Sequence, residues 1–409
     1  MADPTTNRDR VQSASVTAAD HLYIHVPFCG RRCSYCDFSS AVRREVPVTQ
    51  FIDAIMAELV TRRVQLAKES LRSIYLGGGT PSKLGGDGVG ELLRRIAHQQ
   101  ELGDLSTTAW ADVEVTIEAN PEDVTPLAAS AWRAAGVNRV SLGVQSFDPV
   151  VLDWMHRGHG PDAAAQAIRE LRSVGIHDVS VDLIFAVPDA LGRDWDRDLD
   201  LALALDPSHI SLYGLTIEPR TPLGRWTAQG AVREAPEDRY ADEFLAAHHR
   251  LTGAGFEHYE VSNYARPGFR ARHNSAYWSG APYIGVGPAA HGFDGEVRRW
   301  NIEAYAEWAS GLVGGAAGSK SPVDPIAGSE RIGPTERLAE EVYLGLRTQD
   351  GLSVHQNELT AVILWIEAGW ATLGGANVPP DRLRLTPTGW LRLDALAAAL
   401  TAIRSRSLS

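Results

Sequence analysis

The repeated alternation of strand-like and helix-like segments between residues 21 and 215 is the feature that most constrains the fold of this chain. Apolar segments typical of strands alternate with segments whose apolar residues recur at helical spacing. Strands are predicted at 22–26, 73–76, 113–118, 139–144, 178–187 and 209–215, with helices at 51–66, 90–99, 125–136, 161–174 and 195–205. Six strands in succession, with a helix between each strand and the next, predict an α/β fold with a parallel sheet.

Residues suited to chemistry follow nearly every one of these strands. Three cysteines follow the first, a glycine run at 77–79 follows the second, Glu118 closes the third, Gln145 follows the fourth and Tyr213 lies near the end of the sixth. A doubly wound sheet concentrates its ligand at one switch point, whereas a barrel uses the carboxyl ends of many strands. The pattern therefore favours a partial (β/α)6 barrel of the TIM type.

All three cysteines of the chain lie in one eight-residue window, as Cys29, Cys33 and Cys36. The CxxxCxxC spacing suits a short loop whose thiolates hold three irons of a [4Fe–4S] cluster. Ferredoxin clusters usually close with a fourth thiolate, which this chain does not have. The fourth iron would then be open to another ligand, which indicates chemistry rather than electron storage alone.

Three other interpretations of the cysteines have to be weighed. A helical core stripe is disfavoured because Pro27, Gly30 and two adjacent arginines fit a loop better than a buried helix face. A disulfide would leave one thiol over. A Cys3His zinc site that recruits His25 remains a rival on spacing alone, since zinc takes that ligand set readily.

The rest of the sequence predicts five segments. They are a disordered tail at 1–20, the core at 21–220, an extension at 221–310, a linker rich in Gly, Ala, Ser and Pro at 311–334, and a C-terminal unit at 335–409. The extension is expected to be α+β, and the C-terminal unit is expected to be a small, mainly helical, winged-helix-like domain.

Charge and hydropathy exclude several classes of function. A net charge of −12 argues against broad affinity for nucleic acid or anionic lipid. No apolar run reaches the roughly 18 residues that would indicate a membrane span. The first 20 residues have no apolar region of the kind found in secretion signals. Together with the low cysteine content, this predicts a protein of the reducing cytoplasm.

The cysteine loop, the segment Gly77-Gly78-Gly79-Thr80 and the polar strand ends, taken in order, resemble the radical S-adenosylmethionine (SAM) superfamily over residues 21–220. This resemblance implies that the open iron is chelated by the amino and carboxylate groups of SAM. In that family, one-electron cleavage of SAM yields a 5′-deoxyadenosyl radical, while the protein holds the geometry and excludes water. The resemblance favours the cluster over zinc.

The resemblance also implies roles for individual residues. Cys29, Cys33 and Cys36 match the cluster ligands, and Tyr35 matches the aromatic that packs against the adenine. Asp182 is expected to bind a ribose hydroxyl. The full set expected to contact SAM is Tyr23, Tyr35, Gly78, Gly79, Thr80, Glu118, Gln145, Arg157 and Asp182.

Within the superfamily, the segments 24–29, 76–82 and 136–145 resemble the oxygen-independent coproporphyrinogen III oxidase branch. Dehydrogenases of this branch carry a further cysteine where this chain has Phe38. The segment 273–278 is similar to the HNxxYW signature of the HemW group of heme chaperones. The resemblance thus implies a heme chaperone that carries a cluster and SAM, with no coproporphyrinogen oxidase activity expected.

A heme chaperone requires heme, an acceptor protein such as a respiratory heme protein, and a place for the heme iron to bind. Since every thiol is assigned to the cluster, His273 is the first candidate for the axial ligand and His291 the second. The resemblance further implies an electron donor such as flavodoxin or ferredoxin, and it leaves a dimer open. A coproporphyrinogen III dehydrogenase and a zinc-stabilised binding module are the alternatives.

Overall fold

A computed structural model describes residues 17–66, 69–106, 110, 112–314, 323–375 and 378–406. The strands are β1 (Thr17–Ala18), β2 (His21–Val26), β3 (Phe28–Cys29), β4 (Ala41–Val42), β5 (Val64–Gln65), β6 (Ser73–Gly78), β7 (Glu114–Ala119), β8 (Arg139–Gln145), β9 (Asp178–Phe185), β10 (His209–Gly214), β11 (Glu257–Glu260), β12 (Asn263–Ala265), β13 (Ile284–Val286), β14 (His291–Phe293), β15 (Val297–Asn301), β16 (Ile326–Arg331), β17 (Leu352–Ser353), β18 (Ala371–Gly375) and β19 (Val378–Leu385).

The helices are α1 (Val48–Thr61), α2 (Gly85–Gln99), α3 (Pro126–Ala134), α4 (Pro149–Trp154), α5 (Ala163–Ser173), α6 (Trp195–Ala204), α7 (Pro222–Ala228), α8 (Glu237–Gly253), α9 (Arg272–Trp278), α10 (Tyr305–Ala309), α11 (Pro334–Arg347), α12 (Leu359–Glu367), α13 (Pro387–Trp390) and α14 (Leu393–Ser405). Local signals set many of their ends. The Thr125 hydroxyl accepts from Ala128 N at 3.1 Å and caps α3, and Gly136 follows that helix with a φ of +99°.

A nine-stranded sheet forms the centre of the molecule, in the order β11-β12-β10-β9-β8-β7-β6-β2-β13. The six strands from β2 to β10 in this sheet are parallel and lie in sequence order, as each strand–helix unit returns the chain to the next position. This confirms the predicted parallel α/β core. The strands at its two edges do not pair with each other in the described part of the chain, so the sheet is open there.

The two faces of the six parallel strands differ sharply in polarity. Leu22, Ile74, Ile117, Leu142 and Val181 are fully buried on the face covered by helices. The alternate positions carry polar side chains instead, which are Tyr23, His25, Ser73, Tyr75, Glu114, Thr116, Glu118, Arg139, Ser141, Asp178, Ser180, Asp182, His209, Ser211 and Tyr213. Strands buried on both faces are usually apolar throughout, so a polar face indicates that this side of the sheet serves a ligand. We call it the cavity face.

The extension at 221–310 completes both edges of the sheet. Its strands β12 and β11 continue the sheet antiparallel beyond β10, while β13 pairs parallel with β2 at the opposite edge. The short helix α9 lies at the amino ends of the parallel strands. Glu114, the first residue of β7, accepts hydrogen bonds from the backbone N–H groups of Arg272 and His273 at 2.7 and 3.1 Å, which fixes the start of α9.

The predicted linker at 311–334 is only partly a linker. Residues 326–331 form β16, which pairs with β15 in an antiparallel sheet with β14, because the Ile326–Arg331 backbone finds hydrogen-bond partners there. Residues 315–322 lie outside the described part. The C-terminal unit combines α11 to α14 with a small antiparallel sheet ordered β17-β19-β18, in agreement with the predicted helical domain.

The predicted disordered tail reaches only partly into the described chain. Residues 1–16 lie outside it, while Thr17–Ala18 forms β1 and pairs with β5. Within the described residues, no helix combines the length and the apolar character that crossing a membrane requires.

Candidate functional site

A cavity of about 640 Å³ opens at the carboxyl ends of the parallel strands. It brings together residues that are far apart in sequence, as the barrel prediction requires. The predicted site residues that line it are Cys29, Cys33, Tyr35, Cys36, Gly78, Gly79, Thr80, Glu118, Gln145, Arg157 and Asp182. Eleven of the residues for which the family resemblance implies a role thus line one cavity.

The cysteine loop enters this cavity from the end of β2. Its first cysteine belongs to β3, which pairs with β4, so the ends of the loop are held together. The middle of the loop is tied to other elements, since Ser34 N donates to Met155 O at 3.2 Å and Leu223 N donates to Ser34 O at 2.9 Å. Residues 30–40 contain no helix, which rules out the helical core stripe.

The three thiols are free and half-buried. The Thr80 hydroxyl lies 3.4 Å from Cys29 Sγ, and Arg157 Nη1 lies 3.4 Å from Cys33 Sγ. Burial raises the pKa of Cys29 and raises the pKa of Cys36 to about 11. Without a metal the thiols of Cys29 and Cys36 stay protonated at neutral pH, and binding of a metal centre would have to release their protons.

The glycine run at 77–79 allows the end of β6 to lie directly against the chain that leads from β2 into the cysteine loop. Gly78 has a φ of +108°, and a Cβ atom there would lie 2.5 Å from the His25 ring. A Cβ atom on Gly79 would lie 2.8 Å from the carbonyl carbon of Pro27. Only glycine fits both positions, so the run is required by close approach of the backbone.

Glu118 is held at the end of β7 by two donors from β6. The Tyr75 hydroxyl donates to Oε1 at 2.8 Å, and Gly78 N donates to Oε2 at 3.0 Å. Burial and the nearby Asp182 carboxylate raise the pKa of Glu118, against the two hydrogen bonds, to about 7. The carboxyl group is therefore poised to ionise when a cation binds next to it.

Asp182 lies in the middle of β9 on the cavity face. Ser141 Oγ donates to its two oxygens at 2.8 and 3.0 Å, and Ser180 Oγ donates at 3.0 Å. Burial raises the pKa of Asp182, while these hydroxyl donors counteract part of the increase. A carboxylate held in this way can still accept a further hydrogen bond from a ligand hydroxyl.

Gln145 and Arg157 close the far side of the cavity. A bulge in β8 gives Gln145 a φ of +69°, which turns its side chain out of the strand pattern. Arg157 Nη2 donates to Asn120 Oδ1 and to Gly143 O, both at 2.6 Å. Its Nε is buried and has no hydrogen-bond partner among the described residues. An unpaired donor of this kind indicates room for an anionic ligand group.

Three predicted residues do not line the cavity. Tyr23 lies behind the cavity. The Tyr23 ring stacks on the Tyr75 ring, and the Tyr23 hydroxyl lies 3.1 Å from His25 Nδ1. His273 is 1% exposed, with Nδ1 2.7 Å from Ser73 Oγ and Nε2 2.9 Å from Tyr277 Oη. Both of its nitrogens are occupied, so His273 is not accessible as an axial ligand in this structure. His291 is exposed on β14, away from the cavity.

Several residues that build the site were not singled out from the sequence. Tyr75 positions Glu118, Ser141 and Ser180 position Asp182, and Asn120 positions Arg157. The signal that could have found the first three is the period-two polar pattern of their strands, since they occupy the alternate positions of β6, β8 and β9. No pattern in the sequence marks Asn120.

Comparison with known proteins adds independent information. Residues 23–202 match the Radical SAM superfamily. The chain is 36% identical over 387 residues to a heme chaperone HemW of Mycobacterium tuberculosis, which covers 93% of this chain and 94% of the relative. It is 35% identical over 356 residues to a heme chaperone HemW of Synechocystis, which covers 83% of this chain and 82% of that relative.

A solved structure has the same fold. The coproporphyrinogen III oxidase of Escherichia coli, described as a radical SAM enzyme, superposes with a TM-score of 0.73, covering 96% of this chain and 91% of that chain. The sequence identity between the two is 18%, so this likeness concerns the fold.

Proposed function

Because the chain belongs to the radical SAM superfamily and, within it, to the HemW family of heme chaperones, we propose that it binds heme and delivers it to an acceptor protein. The observation that carries this proposal is the 36% identity to a heme chaperone over 93% of the chain. Similarity of that extent includes the core, the extension and the C-terminal unit rather than the cysteine-bearing core alone.

The cysteine loop fits the cluster that the superfamily implies. Its three thiols are free and line one cavity, and the chain has no fourth cysteine to close the cluster. The donors from Thr80 and Arg157 lie within reach of two sulfur atoms and can stabilise thiolates. When bound, a [4Fe–4S] cluster with one open iron supplies one-electron reduction of the SAM sulfonium.

The remaining cavity residues fit SAM as its second occupant. Glu118 offers a carboxylate for a cationic group, Arg157 an unpaired donor for a carboxylate, and Asp182 an acceptor for a ribose hydroxyl. Tyr35 lies against a small apolar cluster beside the thiols and provides a ring for the adenine. We assign these four residues, together with Gln145 and the glycine run, to SAM binding.

The zinc alternative fits the geometry less well. No three His, Cys, Asp or Glu side chains in the described part of the chain converge as ligands of a single ion would. The His25 ring is instead engaged by the Tyr23 hydroxyl and by Ser39 O at 3.0 Å. A four-iron cluster does not require such convergence, because each thiolate binds a different iron.

The coproporphyrinogen oxidase alternative is weakened by Phe38. Its ring is 63% exposed at the mouth of the cavity, where the dehydrogenases of this branch have a cysteine. A phenyl ring can neither donate a hydrogen atom nor form a thiyl radical, so a step that needs a thiol at this position cannot occur.

The partners and location of the protein are part of the same proposal. We propose a flavodoxin or ferredoxin as electron donor, a respiratory heme protein as acceptor, and the cytoplasm as compartment, since thiols that hold a cluster must stay reduced. A dimer would give the acceptor two docking sites. Measurement of the molecular mass in solution decides whether the protein is a dimer.

A paired assay on one anaerobically reconstituted sample tests the proposal. Hemin is titrated while the Soret band is followed, and turnover of coproporphyrinogen III is then measured with SAM and a reductant. We expect saturable hemin binding and no turnover, and transfer of the bound hemin to an apo-heme protein. Turnover would support the oxidase, and a colourless protein that contains zinc would support the binding module.

A further inference from the structure

A second cavity lies away from the cysteines, between the end of α9, the β14–β15 hairpin and α11. Its volume is about 510 Å³, which is within the range of small-molecule pockets. Aromatic and aliphatic side chains dominate its walls, among them Tyr277, Trp278, Tyr283, Phe293, Tyr343 and Leu344. In the described part of the chain it shares no lining residue with the cavity at the cysteines.

Two charged side chains, Arg298 and Glu340, line this second cavity. Arg298 donates to Glu340 at 2.9 Å and to Glu330 at 3.0 Å, and its guanidinium lies 5.8 Å from the centre of the Phe293 ring. The indole Nε1 of Trp278 is buried and has no partner among the described residues. A large flat apolar ligand would match these walls, whereas the charge of Arg298 is already offset by the two carboxylates that it contacts.

An exposed imidazole lies on the same surface. His291 precedes Phe293 by two residues on β14, so the two side chains lie on one face of the strand, about 7 Å apart along it. The His291 ring stacks on Trp300 of the neighbouring strand, with centroids 6.0 Å apart and an interplanar angle of 26°. Trp300 in turn lies flat over Gly328, where a Cβ atom would approach its ring to 2.4 Å.

The state of His291 suits metal ligation. Partial burial and the Arg298 charge lower its pKa, while Glu330 acts in the opposite direction. The imidazole is therefore neutral at neutral pH and can offer a nitrogen lone pair to iron. His273, the first candidate from the sequence, lies buried between Ser73 and Tyr277 and offers no such nitrogen.

We propose that the second cavity is the heme site, with the macrocycle against Phe293 and Tyr283 and with His291, which lies beside the cavity on β14, as the ligand of the heme iron. This inference rests on the proposed function, which requires a heme site but does not place it. The cavity at the cysteines is a poorer candidate, because its charged side chains, Glu118, Arg157 and Asp182, are those assigned above to SAM, and its thiols are those assigned to a cluster.

Filling the cavity tests the proposal. Ala339 lines it from α11, and Ala339→Trp would occupy space that the macrocycle needs. Ala306→Trp adds the same bulk at an exposed position of α10 and serves as the matched control. In a hemin titration, we expect the first variant to bind at least about tenfold more weakly, which corresponds to about 1.4 kcal/mol. The control should bind as the wild type does.

Removing the imidazole provides the second test, at an exposed residue whose loss should leave the fold intact. His291→Ala should shift the Soret maximum of bound ferric heme, and free imidazole should restore it. Unchanged hemin affinity in Ala339→Trp, or an unchanged spectrum in His291→Ala, would overturn this placement of heme while leaving the chaperone proposal in force. Failure of the wild type to bind hemin would overturn both.

Discussion

Tyr75 connects the two ends of the cavity face through its contacts with His273 and Glu118. Its ring stacks on the His273 imidazole with centroids 5.0 Å apart, and its hydroxyl donates to the Glu118 carboxylate at 2.8 Å. His273 belongs to the helix that closes the amino ends of the strands, whereas Glu118 lines the cavity at their carboxyl ends. The polar face of the sheet is thus one continuous structure, from the α9 helix to the proposed SAM site.

The first prediction concerns the pH dependence of SAM binding. Because burial raises the pKa of Glu118 to about 7, this group is mostly protonated in the free protein below that pH. The cationic groups of SAM favour the carboxylate, so affinity should rise from about pH 5.5 to about pH 7.5, by at most about tenfold per pH unit. Equilibrium dialysis with labelled SAM measures the profile.

The control for this prediction is Glu118→Gln, which keeps the shape of the side chain and removes the titration. This variant should bind SAM more weakly at pH 7.5 and show a flat profile over the same range. If its profile parallels that of the wild type, another group is responsible for the pH dependence.

The second prediction separates backbone strain from ligand contact at Gln145. A non-glycine residue in the left-handed region carries a conformational cost, and Gln145 has a φ of +69°. Gln145→Gly should therefore be more stable than Gln145→Ala, by about 1 kcal/mol. Both variants should lose SAM affinity to a similar extent, since both remove the amide. Denaturant unfolding of the two variants measures the difference, and equal midpoints would contradict it.

The third prediction concerns the geometry of Arg157. Its guanidinium contacts Asn120, Gly143 and Cys33 at once, which a lysine ammonium cannot reproduce. Arg157→Lys should lower SAM affinity about tenfold although the charge is kept, a loss of about 1.4 kcal/mol. Arg169→Lys, at an exposed position of α5, is the matched control and should bind SAM normally. Normal binding by Arg157→Lys would show that charge alone is sufficient there.

The sequence was sufficient to predict the core and the convergence of its strand-end residues, because both follow from local order. The roles expected of these residues came from the family resemblance instead. Strand–helix alternation determines a parallel sheet, and the carboxyl ends of parallel strands meet at one edge, so Cys29, Glu118 and Gln145 had to converge. Thr125 and Gly136 marked the ends of a helix through capping and a left-handed backbone.

The predictions that were wrong or incomplete concern contacts that local order does not determine. Nothing in its own segment indicates that Ile326–Arg331 pairs with β15, because the partner strand lies more than twenty residues away. The HNxxYW signature made His273 the first candidate for the heme iron ligand, whereas in the structure this residue is buried and hydrogen-bonded to Ser73 and Tyr277. The apolar cavity beside α11 depends on three distant segments and could not be predicted from any of them.

The fourth prediction is that His273 stabilises the fold. His273→Ala would leave the Tyr277 hydroxyl without its partner and would remove one of the two imidazole nitrogens that contact the Ser73 hydroxyl, since His21 Nδ1 also lies 2.8 Å from it. It would also open a space beneath Tyr75. We expect a loss of about 2–4 kcal/mol in the free energy of unfolding. His177→Ala, at an exposed position, should change it by less than about 0.5 kcal/mol.

The pH dependence of that loss has a definite sign. Burial lowers the pKa of His273 from 6.5 to about 3, so the folded state holds the neutral ring and the unfolded chain binds the extra proton more readily. The stabilisation by His273 is therefore fully present above pH 6.5 and declines as the pH falls towards 3. The difference in the free energy of unfolding between wild type and His273→Ala, measured by denaturant unfolding, should therefore become smaller as the pH falls below 6.5. A difference that does not change with pH would contradict a buried, neutral His273.

The last prediction tests whether the two cavities are separable. Cys33→Ala removes one thiol ligand, and a cluster held by only two cysteines should not survive reconstitution, as measured by iron and sulfide content and by the loss of its brown colour. The apolar cavity shares no lining residue with the cysteine cavity in the described chain, so hemin affinity should stay within about twofold of the wild type, less than about 0.5 kcal/mol. Ser34→Ala changes a neighbouring loop residue without removing a thiol and should keep the cluster. If Cys33→Ala loses hemin binding although it remains folded, heme must bind at or depend on the cluster, and the placement of heme beside α11 is wrong.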